Sequence, residues 1–501
     1  MSAAFGSLRK SGRNSLDGHP TDWMEVEMDG NAEKDEQKPE GKSASVKAGL
    51  ETLAGITFLT QPQRVFGAND RVRVAVTGVR GQGFTHIEEY SQIPNVEVAA
   101  LCDVDENILG ERLADMDKMG LPQPKTYIDA RKLMEDSSID AVSIATPNHW
   151  HSLIALWACQ AGKDAYVEKP GSHNWWDSHQ LVCAAARYNR LVQHGTNMRS
   201  SMAIREGIQK IREGLLGEAY LARGLCFNWR PSIGRTPIEP VPAGVHYDLW
   251  TGPAPLKPFT RNRFHYNWHW IWDTGDGDLG NQGIHQVDVA RWGLGVTFPN
   301  KVTAIGGHFL FDDDQETPNV LNCAYEFNLP DGKRKMLEFE VRHWISNHEA
   351  GINTPGFGVE IPGFVGYPRP NKPRESGSRE TVGNIFYGSK GYMAMVDSGS
   401  RQWYRTWMGG EQEHGPMAVR GEGNCWANFI DCVRSRKKGD LNAPIEEGHI
   451  SCTLVHLANA SYRLGRTLSF DPSTEKVIGD EEANRLLRGT YREPFVVPEN
   501  V

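Results

Sequence analysis

The chain has 501 residues, 39% hydrophobic and 23% charged, with a formal net charge of −9, which lets it bury more than one core. The negative balance without a long Lys/Arg block argues against nucleic acid as a main partner, because phosphate recognition needs a clustered basic footprint. No run reaches the roughly 18 apolar residues of a membrane span, and Cys102, Cys159, Cys183, Cys226, Cys323, Cys425, Cys432 and Cys452 lack CxxC pairing or regular spacing, so they read as buried or free thiols rather than a disulfide framework or zinc site.

Residues 1–69 read as a disordered acidic tail and linker. Thr21 to Lys42 holds eight acids against three lysines, unlike the basic start of an export signal. The stretch "SVKAGLETLAGITFLTQPQRVFGAND" is signal-like, but Glu51 interrupts it and about 45 residues precede it. A cytoplasmic location is expected, with a remnant export signal in residues 46–69, hence a periplasmic one, as the alternative.

Residues 70–196 read as a doubly wound parallel sheet. "RVRVAVTG" is a short β-branched strand ending at glycine, and "VRGQGFTHIEEY" is a turn opening a helix. "VEVAALCD", "ENILGERLADMDKMG" and "IDAVSIAT" then give strand, helix and strand, the alternation of a parallel sheet covered on both faces. Gly78, Gly81 and Gly83 stand in the first turn in the order G-x-x-G-x-G. Small residues let the backbone approach a pyrophosphate that the helix N-terminus then holds. Asp103 closes the second strand 20 residues beyond Gly83, where a carboxylate accepts from ribose hydroxyls and repels a 2′-phosphate. That favours NAD over NADP; the plainer reading of Asp103 is a helix-capping acid.

Next comes "ATPNHWHSLIALWACQAGKDAYVEKP", a strand end, a Pro147-Asn148 turn, a helix, and a strand ending in Glu168-Lys169-Pro170. Strand, glycine turn, "CDVD", "TPNHWH" and "EKP" in this order resemble the Gfo/Idh/MocA family of oxidoreductases, from about Val72 to Arg466. The resemblance implies an N-terminal Rossmann domain and a C-terminal α+β domain, residues 197–501, whose open, mostly antiparallel sheet carries the substrate site and often an oligomer contact. It further implies NAD as cofactor, Glu168 at the nicotinamide ribose, Lys169 beside the nicotinamide and the substrate hydroxyl, and a cis Pro170. Gln82, Thr146, Asn148 and His151 join the glycines and Asp103 as cofactor-binding candidates. A lysine desolvated beside a cationic ring has its pKa lowered toward the working pH, as proton transfer requires. A surface ion pair of Glu168 and Lys169 is the bland alternative.

"LVQHGTNMRS" reads as the last strand of the first domain and "AIREGIQKIREGLLG" as the linking helix. "VTAIGGHFLF", "VLNCAYEFNL" and "KMLEFEVRHW" alternate like half-exposed antiparallel strands, and two helices, "NCWANFIDCVRSRKKG" and "EEGHISCTLVHLANASYRLGR", follow. The stretch from Arg261 to Gly295 is the richest in chemistry. Its end, "NQGIHQVDVARW", has helical spacing that puts Asn281, His285 and Asp288 on one face. In the family an Asp-x-Gly-x-His motif supplies acid/base groups here; the histidine corresponds to His285, and Asn281 replaces the aspartate, so it orients but cannot exchange a proton. His285, with an unperturbed pKa near 6.5, suits proton removal, unless it is a satisfied core histidine. Asp288 caps, pairs with Arg291, orients His285, or is purely structural. His265, His269 and Asp273 have spacing that also suits a metal, but no metal is expected.

Tyr266, Trp268, Trp270 and Trp272 alternate with polar residues. Core packing is the default at strand spacing, yet a sugar face stacks well on an aromatic plane. Arg199, Asn228, Arg230, Arg235 and Tyr247, with Trp270 and His285, are candidates for lining a substrate pocket. The reading is an NAD-dependent oxidoreductase acting on a sugar or cyclic polyol, with Lys169 and His285 as catalytic groups and Asn281 and Asp288 in support. The alternative is a glycosidase that uses NAD for transient oxidation and elimination; a nucleotide sensor without turnover is a third. No membrane or nucleic-acid partner is expected, and the exposed sheet face predicts a homo-oligomer, dimer or tetramer.

Overall fold

The computed structural model describes residues 51–53, 56–58, 71–344, 347, 349–352, 381–398, 401–420 and 423–501. Most of the tail and signal-like segment lies outside them; within it, β1 (Glu51–Leu53) pairs antiparallel with β2 (Ile56–Phe58).

Apolar runs bounded by turns then build a six-stranded parallel sheet, β3 (Val72–Thr77), β4 (Val96–Cys102), β5 (Lys125–Tyr127), β6 (Ala141–Ile144), β7 (Asp164–Val167) and β8 (Val192–His194), in the order β5-β4-β3-β6-β7-β8. The crossovers are α1 (Gln82–Ser91), α2 (Glu106–Lys118), α3 (Ala130–Met134), α4 (Asn148–Gln160) and α5 (Trp175–Arg187). Caps set where they start: Asp105 accepts from the Asn107 amide and Asn174 from the Asp177 amide. β6 and β7 are buried throughout, as strands covered on both faces must be.

After α6 (Met202–Arg212) come β9 (Ala219–Asn228), α7 (Tyr247–Thr251), α8 (Gly277–Asn281) and α9 (Gly283–Leu294). They are followed by β10 (Lys301–Gly307), β11 (Val320–Asn328), β12 (Arg334–His343), β13 (Thr381–Gly388), β14 (Gly391–Ser398), β15 (Arg401–Met408) and β16 (Glu413–Arg420). The chain ends through α10 (Cys425–Ser435), α11 (Ile445–Leu464), β17 (Leu468–Asp471), β18 (Lys476–Val477) and α12 (Glu481–Arg488). The second sheet has ten strands, β16-β15-β14-β13-β9-β12-β11-β10-β17-β18, antiparallel except for β12 beside β9. Burial alternates along β10 to β12. One face packs on α6, α9 and α11 through Leu321, Tyr325, Phe339 and Val341, and the other leaves Tyr220, Ile305 and Met336 exposed. This α/β architecture is the expected one, and no described helix is long and apolar enough to cross a membrane.

α9 lies so close to the sheet that a Cβ on Gly283 would stand 2.3 Å from the Phe339 ring. Phe339, 1% exposed, therefore keys the helix to the sheet. Phe339→Ala is expected to cost about 3–5 kcal/mol, read as a lowered urea midpoint with an unchanged slope.

Candidate active site

The nucleotide half of the site is built by backbone geometry. Gly78 has φ +78°, and a Cβ on Gly83 would meet the Gly78 carbonyl at 1.9 Å, so α1 can approach β3 closely only without side chains there. Asp103 accepts from the Val79 amide at 2.8 Å and the Asp105 amide at 3.0 Å. Burial pushes its carboxyl up to about 6 against these bonds. Gly81 caps α1 and Gln82 opens it. Three buried polar atoms facing the carboxyl edge of this sheet have no hydrogen-bond partner among the described residues: Thr77 Oγ1, Thr146 Oγ1 and His285 Nδ1. Open α/β sheets bind their ligand at that edge, so the donor set fits a dinucleotide.

Glu168, 6% exposed, does not stand alone at the strand end. Its Oε1 accepts from Gln82 Nε2 and faces His86 Nε2, both at 3.2 Å, while Oε2 accepts from the Lys169 amide. Burial raises its carboxyl, but His86 and Lys169 outweigh burial and hold it at about 2. His86, hydrogen-bonded in turn to Ser143 at 2.9 Å, escaped the sequence reading; the one hint is its place on the inner face of α1. The Lys169-Pro170 bond is cis, as expected.

Lys169 Nζ donates to the Asn281 carbonyl at 2.7 Å. Burial draws its pKa below the ordinary lysine value, with Glu168 and Asp278 opposing. The expected continuous helix through Asn281, His285 and Asp288 is corrected: α8 ends at Asn281, Gln282 breaks the run, and α9 begins at Gly283. The His285 amide donates to Gln282 rather than to Asn281, so the Asn281 carbonyl is released for Lys169. The Asn281 side-chain Nδ2 donates to Asp278 Oδ1 at 3.1 Å. His285 is 8% exposed, and burial together with the nearby Lys169 cation holds its pKa down at about 3. The ring is thus neutral, with its pKa below the unperturbed value near 6.5.

Asp278, hidden in the sequence among neighbouring acids, is the central anion. It takes two bonds from Arg230, at 3.2 and 3.1 Å, and faces His343 Nε2 at 3.1 Å. Burial works against its charge, but Arg230 and His343 keep the carboxyl far below the usual range. Arg230 also donates to the Tyr266 hydroxyl at 3.1 Å and lies over the Trp270 ring. Lys169, Asn281, His285, Asp278, Arg230 and Trp270 therefore converge.

Other candidates do not join them. Asp288 binds Arg199 through both carboxylate oxygens, at 2.7 and 2.9 Å, and accepts from Ser451 at 2.7 Å. Arg199 also pairs with Glu447 at 3.0 Å, so both residues serve a buried ion network rather than the pocket. Tyr247 stacks on Trp250 in an aromatic cluster with Phe259, Asn228 turns to Cys226, and exposed Arg235 pairs with Asp312. The aromatic segment folds as two short 3-10 turns, Arg261–Arg263 and Asn267–Trp270, rather than a strand. Trp268 joins that cluster and Trp272 lies under Arg463. His265 faces Asp105, His269 faces the Tyr266 carbonyl, and Asp273 pairs with Lys257 and Arg263, so these three diverge. His151 lies between two backbone carbonyls, with ring nitrogens 2.5 Å from that of Pro170 and 2.7 Å from that of Thr146; burial lowers its pKa, and the neutral ring donates to one of them. Asn148 donates to Asp276 at 2.9 Å, tying α4 to the second domain.

Two family models match the chain: an oxidoreductase-family NAD-binding Rossmann fold over residues 72–196, and an oxidoreductase-family C-terminal alpha/beta domain over 203–310 and 421–497. A glycosyl hydrolase family 109 protein of Shewanella putrefaciens is 31% identical over 153 residues, 30% of this chain and 33% of that protein. The chain thus spans about a third of the length of the curated relatives it matches. Aldose-aldose oxidoreductase of Caulobacter crescentus, solved with glycerol, aligns with TM-score 0.56 at 17% identity, over 80% of this chain and 100% of that one. The WlbA dehydrogenase of Bordetella pertussis, solved with NADH and UDP-GlcNAcA, aligns with TM-score 0.54 at 17% identity, over 80% and 99%. With both domains of the family matched in order on one chain and its fold reproduced, the protein belongs to the Gfo/Idh/MocA family of NAD-binding oxidoreductases.

Proposed function

We propose that this chain moves a hydride between NAD and a hydroxyl-bearing carbon of a sugar or cyclic polyol. The observation that carries this reading is that the Lys169 amine, held by the Asn281 carbonyl at the carboxyl edge of the nucleotide sheet, lies near enough to depress the pKa of His285, whose buried Nδ1 has no partner among the described residues. Gly78, Gly81, Gln82, Gly83, Thr146, Asn148 and Glu168 would hold the cofactor, with Asp103 favouring NAD over NADP by repelling a 2′-phosphate. When bound, the nicotinamide supplies the hydride acceptor. Lys169, its pKa lowered by burial, takes the carbinol proton. Neutral His285 orients the hydroxyl through its free ring nitrogen, and Arg230 and Tyr266 supply polar partners for the rest of the substrate. The exposed Ile305 and Met336 on the open face of the ten-stranded sheet support a homo-oligomer, and eight free thiols suit a reducing cytoplasm.

A second reading rests on the glycosidase relatives: the same lysine and histidine also suit transient oxidation followed by elimination of an aglycone. Purified protein assayed with NAD against a panel of sugars and polyols should accumulate NADH. Release of a chromogenic aglycone without net NADH, with solvent deuterium entering at C2, assigns the glycosidase reading instead.

Lys169→Ala is expected to lower turnover at least about 10³-fold while NAD affinity stays within about threefold; turnover kept near wild type overturns the lysine's role. His285 bears on stability as well. Its folded pKa of about 3 lies below the unfolded value, so the unfolded chain binds the extra proton between the two. Stability is full above about pH 6.5 and falls as pH drops toward 3, by about 2 kcal/mol at pH 5. His285→Gln should shrink the difference in unfolding free energy between pH 8 and pH 5 by about that amount, as measured by urea unfolding.

A further inference from the structure

Away from the nucleotide cleft, three segments distant in sequence meet at His179 on α5, His449 near the start of α11, and Glu475 in the turn between β17 and β18. One potential ligand atom from each lies within 4.8 Å of the other two. His449 Nε2 stands 2.7 Å from Glu475 Oε2, and the His449 side chain is 7% exposed.

Ser178 Oγ, 3.0 Å from the Trp175 carbonyl, stands 2.8 Å from His449 Nδ1, so hydrogen-bond partners hold the His449 ring by both nitrogens. The third group completes the cluster: His179 stacks on Trp175 with ring centres 4.8 Å apart and lies 5.9 Å from the His449 ring, edge to face. Trp175 Nε1 donates to the same Glu475 oxygen at 2.9 Å. Glu475 has φ +51°, a left-handed conformation that a glutamate rarely adopts.

We propose that His179, His449 and Glu475 bind one Zn²⁺, leaving a fourth position to water. Two imidazole nitrogens and a carboxylate oxygen are a zinc ligand set. Ser178, acting through His449, and Trp175, acting through Glu475, hold the ligands in orientation, as the outer partners of metal ligands do. The ion braces α5, the helix that follows the lysine loop, against α11 and the β17–β18 hairpin.

The full chain, stripped with EDTA, dialysed and titrated with Zn²⁺ by calorimetry, should take up one ion per chain with a Kd below about 10 μM and melt a few degrees higher when loaded. His179→Ala, at a half-buried position, and Glu475→Gln should each weaken binding at least about tenfold and abolish the metal-dependent rise in melting temperature. X-ray absorption on the zinc-loaded wild type should show two imidazoles with oxygens and needs no variant. Absence of stoichiometric uptake, variants that bind as tightly as wild type, or a shell of oxygens alone would each overturn the site.

Discussion

The bond from Lys169 to the Asn281 carbonyl fixes the rest of the site. It joins the end of β7 in one domain to the end of α8 in the other, across 112 residues of sequence. The carbonyl is available because the helical run breaks at Gln282; in an unbroken helix the His285 amide would hold it. The same break places His285 in the first turn of α9, with one ring nitrogen unclaimed. An amine that gives a hydrogen bond to a carbonyl keeps its direction whether charged or neutral, so the lysine can change protonation state without changing place.

Beneath this pair runs a polar scaffold. Ser143, His86, Gln82 and Glu168 form one chain of hydrogen bonds. His151 donates to one of the Pro170 and Thr146 carbonyls between which it lies, and His194 accepts from the Gly171 amide at 2.9 Å. Each keeps an otherwise orphaned group satisfied out of water, where an unpaired one is costly, and together they hold the loop after β7 from several sides.

The first domain was legible because its signals are local. Parallel strands buried on both faces read as unbroken apolar runs, and the glycine turn and Asp103 follow at a set spacing. The helix break was not legible, because "NQGIHQVDVARW" keeps a regular helical period through it. The aromatic segment alternates like a strand, yet folds as 3-10 turns whose tryptophans serve different surroundings. Arg199 and Arg230 look alike in sequence; only tertiary contacts send one to the Asp288 network and the other to Asp278. Asp278 itself is masked by Asp273 and Asp276, since composition does not say which acid turns inward.

α10 lies far along the chain but packs into the first domain. Phe429, Ile430 and Val433 share one core with Val74, Ile87, Tyr90, Tyr166 and Leu191. The nucleotide domain is therefore finished by residues translated more than two hundred positions later. A fragment ending after β8 would show that greasy seam to water and be prone to clump, so the two halves cannot be parted at the linker, and during synthesis the first must wait, incomplete, for the last to emerge.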